Sequence, residues 1–328
     1  MGPIAQPVEQ RTFNPWVDGS SPSGPTLSFS KRLGVLGAWV LEVYDLRMKI
    51  TSSQIESFQN DGILIIKKFY SEQEIEGVQR GIYEVIGQTM KKYGLPDSRE
   101  EFNGSLFDSK FNEIIKNDRT FGSLVYDQVK NIPEFLCLMS DPRHSAVFMQ
   151  LRKNSIPMVA GGGYGIRIDN PNEDKYRAYW HQEYPAQLRS LNGIVFWSPL
   201  VQMTKEIGPV QFLPTSHSEG PLAVFQDFGT EEQKRSGAYS LRLGNEAKLL
   251  EKYNLVAPIL ELGDVVCVDF LTVHASGYNR SNRSRWSMQY RYFDMAHESG
   301  RKYGWQGSYA EGVNFSNIHP ELLVEREN

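Results

Sequence analysis

Cysteine is almost missing from this chain: Cys137 and Cys267 are the only two in 328 residues. Two distant thiols form no disulfide framework and no CxxC metal pair, and they make a reducing compartment, the cytoplasm, the expected one. Long apolar runs are missing as well. The longest candidate, residues 33–41, falls well short of the roughly 20 residues that a membrane helix needs. It follows Lys31 and Arg32 as a signal peptide would, but a stretch rich in Pro, Ser and Gly precedes that pair and no A-x-A cleavage site follows. No membrane partner is expected. Basic charge is not in excess either: 35 Lys and Arg stand against 39 Asp and Glu, a net charge of −4. That balance argues against a nucleic-acid partner. There is no internal repeat.

What is present falls into a leader and a body. Residues 1–30 hold five prolines and no sustained periodicity. Within them QPVEQRTFNPWVDGSSPSGPT resembles a transfer-RNA gene read as protein, with Gly19-Ser20-Ser21-Pro22 standing where the T-arm would be translated. The expectation is that residues 1–47 are a non-native or disordered leader and that the chain proper starts at Met48. Organised sequence begins there, and 48–328 is expected to be one domain. Thr51 with Gln54, and Ser71 with Glu74, are capping boxes that predict two helices. Ile75, Val78, Ile82, Val85, Ile86 and Met90 follow the second at helical spacing until Gly94. A strand is expected at 63–69, and 105–140 reads as mostly helical with a break near Pro133. From about Val159 the pattern changes to short runs of Val, Ile, Tyr, Phe and Trp between Gly, Pro and Asn turns. Strands are expected at 164–168, 176–183, 193–200, 210–213, 256–260, 264–270 and 285–293, with an insertion at about 217–255. Helices first and strands later predict a mainly β core with buttressing helices, and seven or eight strands fit a jelly roll or sandwich.

The chemistry concentrates at His181-Gln182-Glu183. On a strand, residues i and i+2 share a face, so His181 and Glu183 point together and Gln182 points away. The best third partner is His274, just after the apolar run 264–270. Two imidazoles and a carboxylate on one face of an octahedron leave three open positions, the arrangement of non-haem Fe(II) oxygenases. Alone, H-x-E is a weak signal. Arg285, Ser287, Gln289 and Arg291 alternate with Trp286, Met288, Tyr290 and Tyr292. Either the polar face meets solvent, or it lines the interior while the aromatic face packs on the helices. A guanidinium inside would need an anion, which a bound dicarboxylate supplies. His144, His217, His297 and His319 read as structural. Gly161-Gly162-Gly163 lacks the Lys-Ser/Thr of a phosphate loop and reads as an entry to a strand. Arg280 and Arg283 read as solvated.

The segments QIESFQNDGILIIKKFYSEQEIEGVQ (Gln54–Gln79), YWHQEYP (Tyr179–Pro185), IVFWSPL (Ile194–Leu200), GPVQFLPTSH (Gly208–His217) and GDVVCVDFLTVHASGYNRSNRSRW (Gly263–Trp286) follow one another in an order that resembles the phytanoyl-CoA dioxygenase family. The resemblance implies a double-stranded β-helix, a cupin-like jelly roll, and an enzyme that uses Fe(II) with 2-oxoglutarate and O₂ as cosubstrates and ascorbate as a supporting reductant. It implies His181, Glu183 and His274 as metal ligands, Arg285 with Ser276 as the grip on the distal carboxylate of 2-oxoglutarate, and Trp197 as a cavity-lining side chain. Trp197 fits ordinary core packing equally well. Strand parity and proximity to these motifs add Gln289, Arg291, Tyr184 and Tyr164 as residues facing a small-molecule substrate. One position departs: the family more often has Asp where this chain has Glu183. Halogenating members keep a small residue there for the halide, so Glu183 speaks against halogenation. The implied activity is hydroxylation of an unactivated C–H with release of succinate and CO₂. Two other readings fit the same residues: a non-catalytic jelly-roll ligand binder, and a cupin-like isomerase or hydrolase that needs no 2-oxoglutarate. Neither substrate identity nor oligomeric state is legible.

Overall fold

The computed structural model describes residues 48–230, 240–307 and 312–325. Residues 1–47, where a leader is expected, including the apolar run 33–41, and the middle of the 217–255 segment lie outside the described residues. The two capping boxes form as their sequences demand. Thr51 and Ser71 each accept the backbone N–H of the third helical residue, and Gln54 and Glu74 reach back to the cap N–H. They start α1 (Ser52–Asp61) and α2 (Glu72–Lys92). Each such cap contributes about 1 kcal/mol. α2 buries Ile75, Val78, Ile82, Ile86 and Met90 along one stripe. The helical layer continues through α3 (Phe111–Asn117), α4 (Arg119–Gln128), α5 (Pro133–Met139) and α6 (Pro142–Leu151). Pro133 stands at the start of α5, where its missing N–H costs nothing.

The strands are β1 (Ile63–Ile66), β2 (Pro157–Val159), β3 (Gly165–Asp169), β4 (Gly193–Pro199), β5 (Gln211–Phe212), β6 (Val224–Gln226), β7 (Leu241–Leu243), β8 (Val265–Asp269), β9 (His274–Ala275) and β10 (Arg285–Asp294). The major sheet is antiparallel in the order β1-β8-β4-β10-β2, with β3 also on β10. The minor sheet is β5-β9. Single bridges from His181 to His274 and from Phe212 to Val256 widen it. β6 and β7 pair separately. This is the double-stranded β-helix, a jelly roll with helices against one side.

β10 shows why the layers assemble as they do. Trp286, Met288, Tyr290 and Tyr292 are buried. Their polar atoms find partners in the helical layer: Trp286 Nε1 donates to Asp108, Tyr290 Oη to Phe135 O and Tyr292 Oη to Met139 O. Burying each such ring contributes about 1.5–3 kcal/mol. The other face of β10 carries Arg285, Ser287, Gln289 and Arg291 toward the minor sheet. In register, Ser287 stands opposite Pro199, Gln289 opposite Trp197 and Arg291 opposite Val195 on β4.

Several expected strands come out shorter or absent. β1 ends at Ile66 because Lys68 turns with a positive φ of 52° and gives its N–H to Asp264. The segment 256–260 pairs only through Val256, since Pro258 has no N–H for a ladder. The segment 176–183 runs extended without a full ladder, and Glu183 is already helical (φ −71°, ψ −32°) as the cap of α7 (Tyr184–Gln187), with Pro185 in its first turn. β2, β6, β7 and β9 hold two or three residues each, too few for an alternation to register. Among the described residues no helix is long and apolar enough to cross a membrane.

Candidate metal centre

His181 and His274 are a directly opposed pair. Each backbone N–H donates to the other's carbonyl at 3.0 Å. Opposed residues project to the same face, so the imidazoles meet with ring centroids 4.2 Å apart. His181 Nδ1 donates to Tyr179 O at 2.7 Å, and His274 Nδ1 donates to Thr272 O at 2.9 Å. A carbonyl only accepts, so the proton sits on Nδ1 and each Nε2 keeps its lone pair. Glu183 is placed two residues on by its own N–H to Phe270 O. Its Oε2 lies 3.7 Å from His274 Nε2. One donor atom from each of His181, Glu183 and His274 falls within 4.8 Å of the others. Gln182 turns away, bonding Gly220 O, Leu271 O and Leu222 N.

The protonation states suit a cation. Burial lowers both imidazoles from their ordinary value, His274 to about 3 with the help of His181. Burial pushes the Glu183 carboxyl up, but Arg291 and the two imidazoles outweigh it and hold the group at about 2. Neutral nitrogens and an ionised oxygen are what metal ligation requires. The donor set of two nitrogens and one carboxylate on one side of a cavity fits a non-haem iron with open positions.

The cavity beside the triad has a volume of about 720 Å³. Tyr164, Trp197, Ser276, Gln289 and Arg291 line it, as do apolar walls from Val195, Val268 and Phe212. Tyr184 does not: it is buried with its hydroxyl on His319 at 2.7 Å. Arg285 is 0% exposed and sits behind the wall. Its Nη2 donates to Ser276 Oγ at 2.9 Å and to Asp169 at 2.8 Å, and its Nη1 to Gly208 O. Nε has no partner. The anion that the strand pattern demanded for Arg285 is therefore supplied inside the chain by Asp169, its register partner on β3. Burial pushes the Asp169 carboxyl up, while Arg167 and Arg285 bring it down to about 2.

Sequence reasoning missed Asp169, Arg167 and Gln187. Arg167 and Asp169 alternate on β3, so they were available as a polar face, but only the register sets them against Arg285. The other histidines are structural or peripheral. His144 is buried against Tyr70 Oη at 2.6 Å, His217 bonds Gln59 O, and His297 caps a short helix. Arg280 and Arg283 are not simply solvated, since they pair with Asp174 and Asp108.

The family profile described as phytanoyl-CoA dioxygenase (PhyH) matches residues 58–287. A phytanoyl-CoA dioxygenase domain-containing protein 1 homolog of Dictyostelium discoideum is 24% identical over 73% of this chain and 89% of its own. The Bos taurus phytanoyl-CoA dioxygenase domain-containing protein 1 is 22% identical over 75% of this chain and 91% of its own. A solved structure of the α-ketoglutarate-dependent carbocyclase SnoK from nogalamycin biosynthesis aligns with TM-score 0.49 and 16% identity, over 75% of this chain and 85% of that one. The fold and the triad define a class of jelly-roll proteins with a site able to hold a metal ion. Within it, the chain belongs to the phytanoyl-CoA dioxygenase family.

Proposed function

We propose that the protein hydroxylates an unactivated C–H bond of a small molecule. The observation that carries this reading is the three-donor cluster on one wall of a cavity large enough for a cosubstrate and a substrate. When bound at His181, Glu183 and His274, Fe(II) supplies the oxidising chemistry, in which O₂ gives one oxygen to the substrate as hydroxyl and the other to succinate as 2-oxoglutarate loses CO₂. Everything else is the work of side chains. The imidazoles present Nε2, and Glu183 supplies the one negative charge. Ser276 at the cavity wall, backed by Arg285, holds the distal carboxylate of 2-oxoglutarate. Trp197, Gln289 and Tyr164 shape the space for substrate. Val195, Val268 and Phe212 limit water. The free thiols Cys137 and Cys267 suit a cytoplasmic setting.

The test is succinate release from purified protein given Fe(II), ascorbate and 2-oxoglutarate, with and without a substrate panel. Turnover abolished by His181→Ala and His274→Ala supports the reading; no turnover of any kind, coupled or uncoupled, contradicts it. One observation favours a second reading. Asp169 occupies part of Arg285, which leaves less of the guanidinium for a cosubstrate and suits a non-catalytic ligand binder. Such a protein would release no succinate and would show no Fe(II)–2-oxoglutarate absorbance.

A further inference from the structure

We propose that Arg291 is a positioning residue that restricts Glu183 to binding the metal through one oxygen, keeping open the positions a chelating 2-oxoacid needs. The proposal rests on the iron and 2-oxoglutarate reading above. The two oxygens of Glu183 have different surroundings. Oε1 accepts from Arg291 Nε at 2.7 Å and from Gln187 Nε2 at 3.3 Å. Oε2 is the oxygen aimed at the cluster, 3.7 Å from His274 Nε2. Glu183 is 3% exposed.

Arg291 is itself fixed from behind. Its Nη2 donates to Gln289 Oε1 at 2.7 Å and its Nη1 to Gly163 O at 3.2 Å. Gly163 is needed for this packing. A Cβ there would stand 2.7 Å from Gln187 Oε1 and 2.9 Å from Ala160 Cβ. The Gly-rich entry to β3 thus lets Gln187 and Arg291 close on the same oxygen. The guanidinium reaches from β10 to Glu183 on the wall of the cavity that both residues line.

The consequence follows from coordination arithmetic. A carboxylate binds a cation through one oxygen or two. With three protein donors on an octahedral ion, three positions remain. A glutamate that chelated through both oxygens would take one of them, leaving too few for a two-toothed oxoacid and O₂ together. Glu has one more rotatable bond than Asp, so its carboxylate needs external restraint to stay in one mode. Arg291 and Gln187 supply that restraint to the longer side chain.

The experiment compares wild type, Arg291→Met and Arg291→Lys as full chains, without oxygen. Co(II) is titrated first, with no oxoacid present, and the visible absorption is recorded. Fe(II) and then 2-oxoglutarate follow. For Arg291→Met the expected result is metal binding retained, an altered Co(II) spectrum, and 2-oxoglutarate affinity weakened by about tenfold or more, the change that about 1.4 kcal/mol makes. Arg291→Lys should recover part of the wild-type Co(II) spectrum, and it decides the matter if Arg291→Met does not fold. An unchanged 2-oxoglutarate affinity overturns the proposal. So does an unchanged Co(II) spectrum with weakened 2-oxoglutarate, since Arg291 would then touch the oxoacid rather than the ligand. Loss of metal from a natively folded variant also overturns it. A wild-type chain that binds neither metal nor 2-oxoglutarate would instead refute the reading on which the proposal stands.

Discussion

Buried charges decide this structure at the level of single residues. Glu183, Asp169 and Arg285 are all removed from water, and each survives because an opposite charge lies within hydrogen-bond reach. Arg285 spreads its donors over Asp169, Ser276 and Gly208 O, a planar span that the compact ammonium of lysine does not reproduce. Arg285→Lys is therefore expected to weaken 2-oxoglutarate binding by about 10–100-fold, the worth of one or two charge-assisted hydrogen bonds, and a 2-oxoglutarate titration of the metal-loaded protein measures it. Asp169→Asn should act in the opposite direction, tightening the cosubstrate by removing the internal carboxylate that shares its guanidinium. An unchanged or weaker affinity would mean that Asp169 holds Arg285 in place rather than competing for it. The triad was legible in the sequence because His181 and Glu183 are two apart and His274 follows an apolar run. Asp169 was not, because a cross-strand partner depends on register, and nothing local to β3 states the register.

Elements were legible where a local rule fixes them. The capping boxes at Thr51 and Ser71 depend on four consecutive residues, and both helices start where those residues stand. The two faces of β10 were visible as an alternation over eight residues, but which face met the helices was not. The structure resolves it by giving Trp286, Tyr290 and Tyr292 acceptors in the helical layer. Strands failed where a proline or a short length intervened, as at Pro258 and β9. Ser71→Ala tests the separation of scaffold from site. It should lower unfolding stability by about 1 kcal/mol, read by urea denaturation, while metal affinity stays unchanged because α2 lies in the buttress rather than the sheets' interior.

At the scale of the whole molecule, buried groups make stability depend on pH with a definite sign. Burial pushes the His144 imidazole down to about 3, while the unfolded chain titrates near 6.5. Between those values the unfolded chain binds a proton that the folded one refuses, so stability is complete above about pH 6.5 and erodes as pH falls toward 3. Asp169, held at about 2, adds a second loss below about pH 4 with the same sign. The denaturation midpoint should fall steadily from pH 7 to pH 4, and His144→Gln should flatten the upper part of that decline. A bound metal stabilises the fold by mass action, by about 2.7 kcal/mol at a hundredfold excess over its dissociation constant. Fe(II) should therefore raise the melting temperature of the wild type and leave that of His274→Ala unmoved.

The central claim is that His181, Glu183 and His274 together hold one iron with room for 2-oxoglutarate. Anaerobic titration of Fe(II) into the protein with 2-oxoglutarate present, followed by visible absorbance, tests it most directly. The account predicts a metal-to-ligand charge-transfer band that saturates at one iron per chain and disappears in His274→Ala. A band that survives the loss of His274, or no band in the wild type with iron bound, would contradict it.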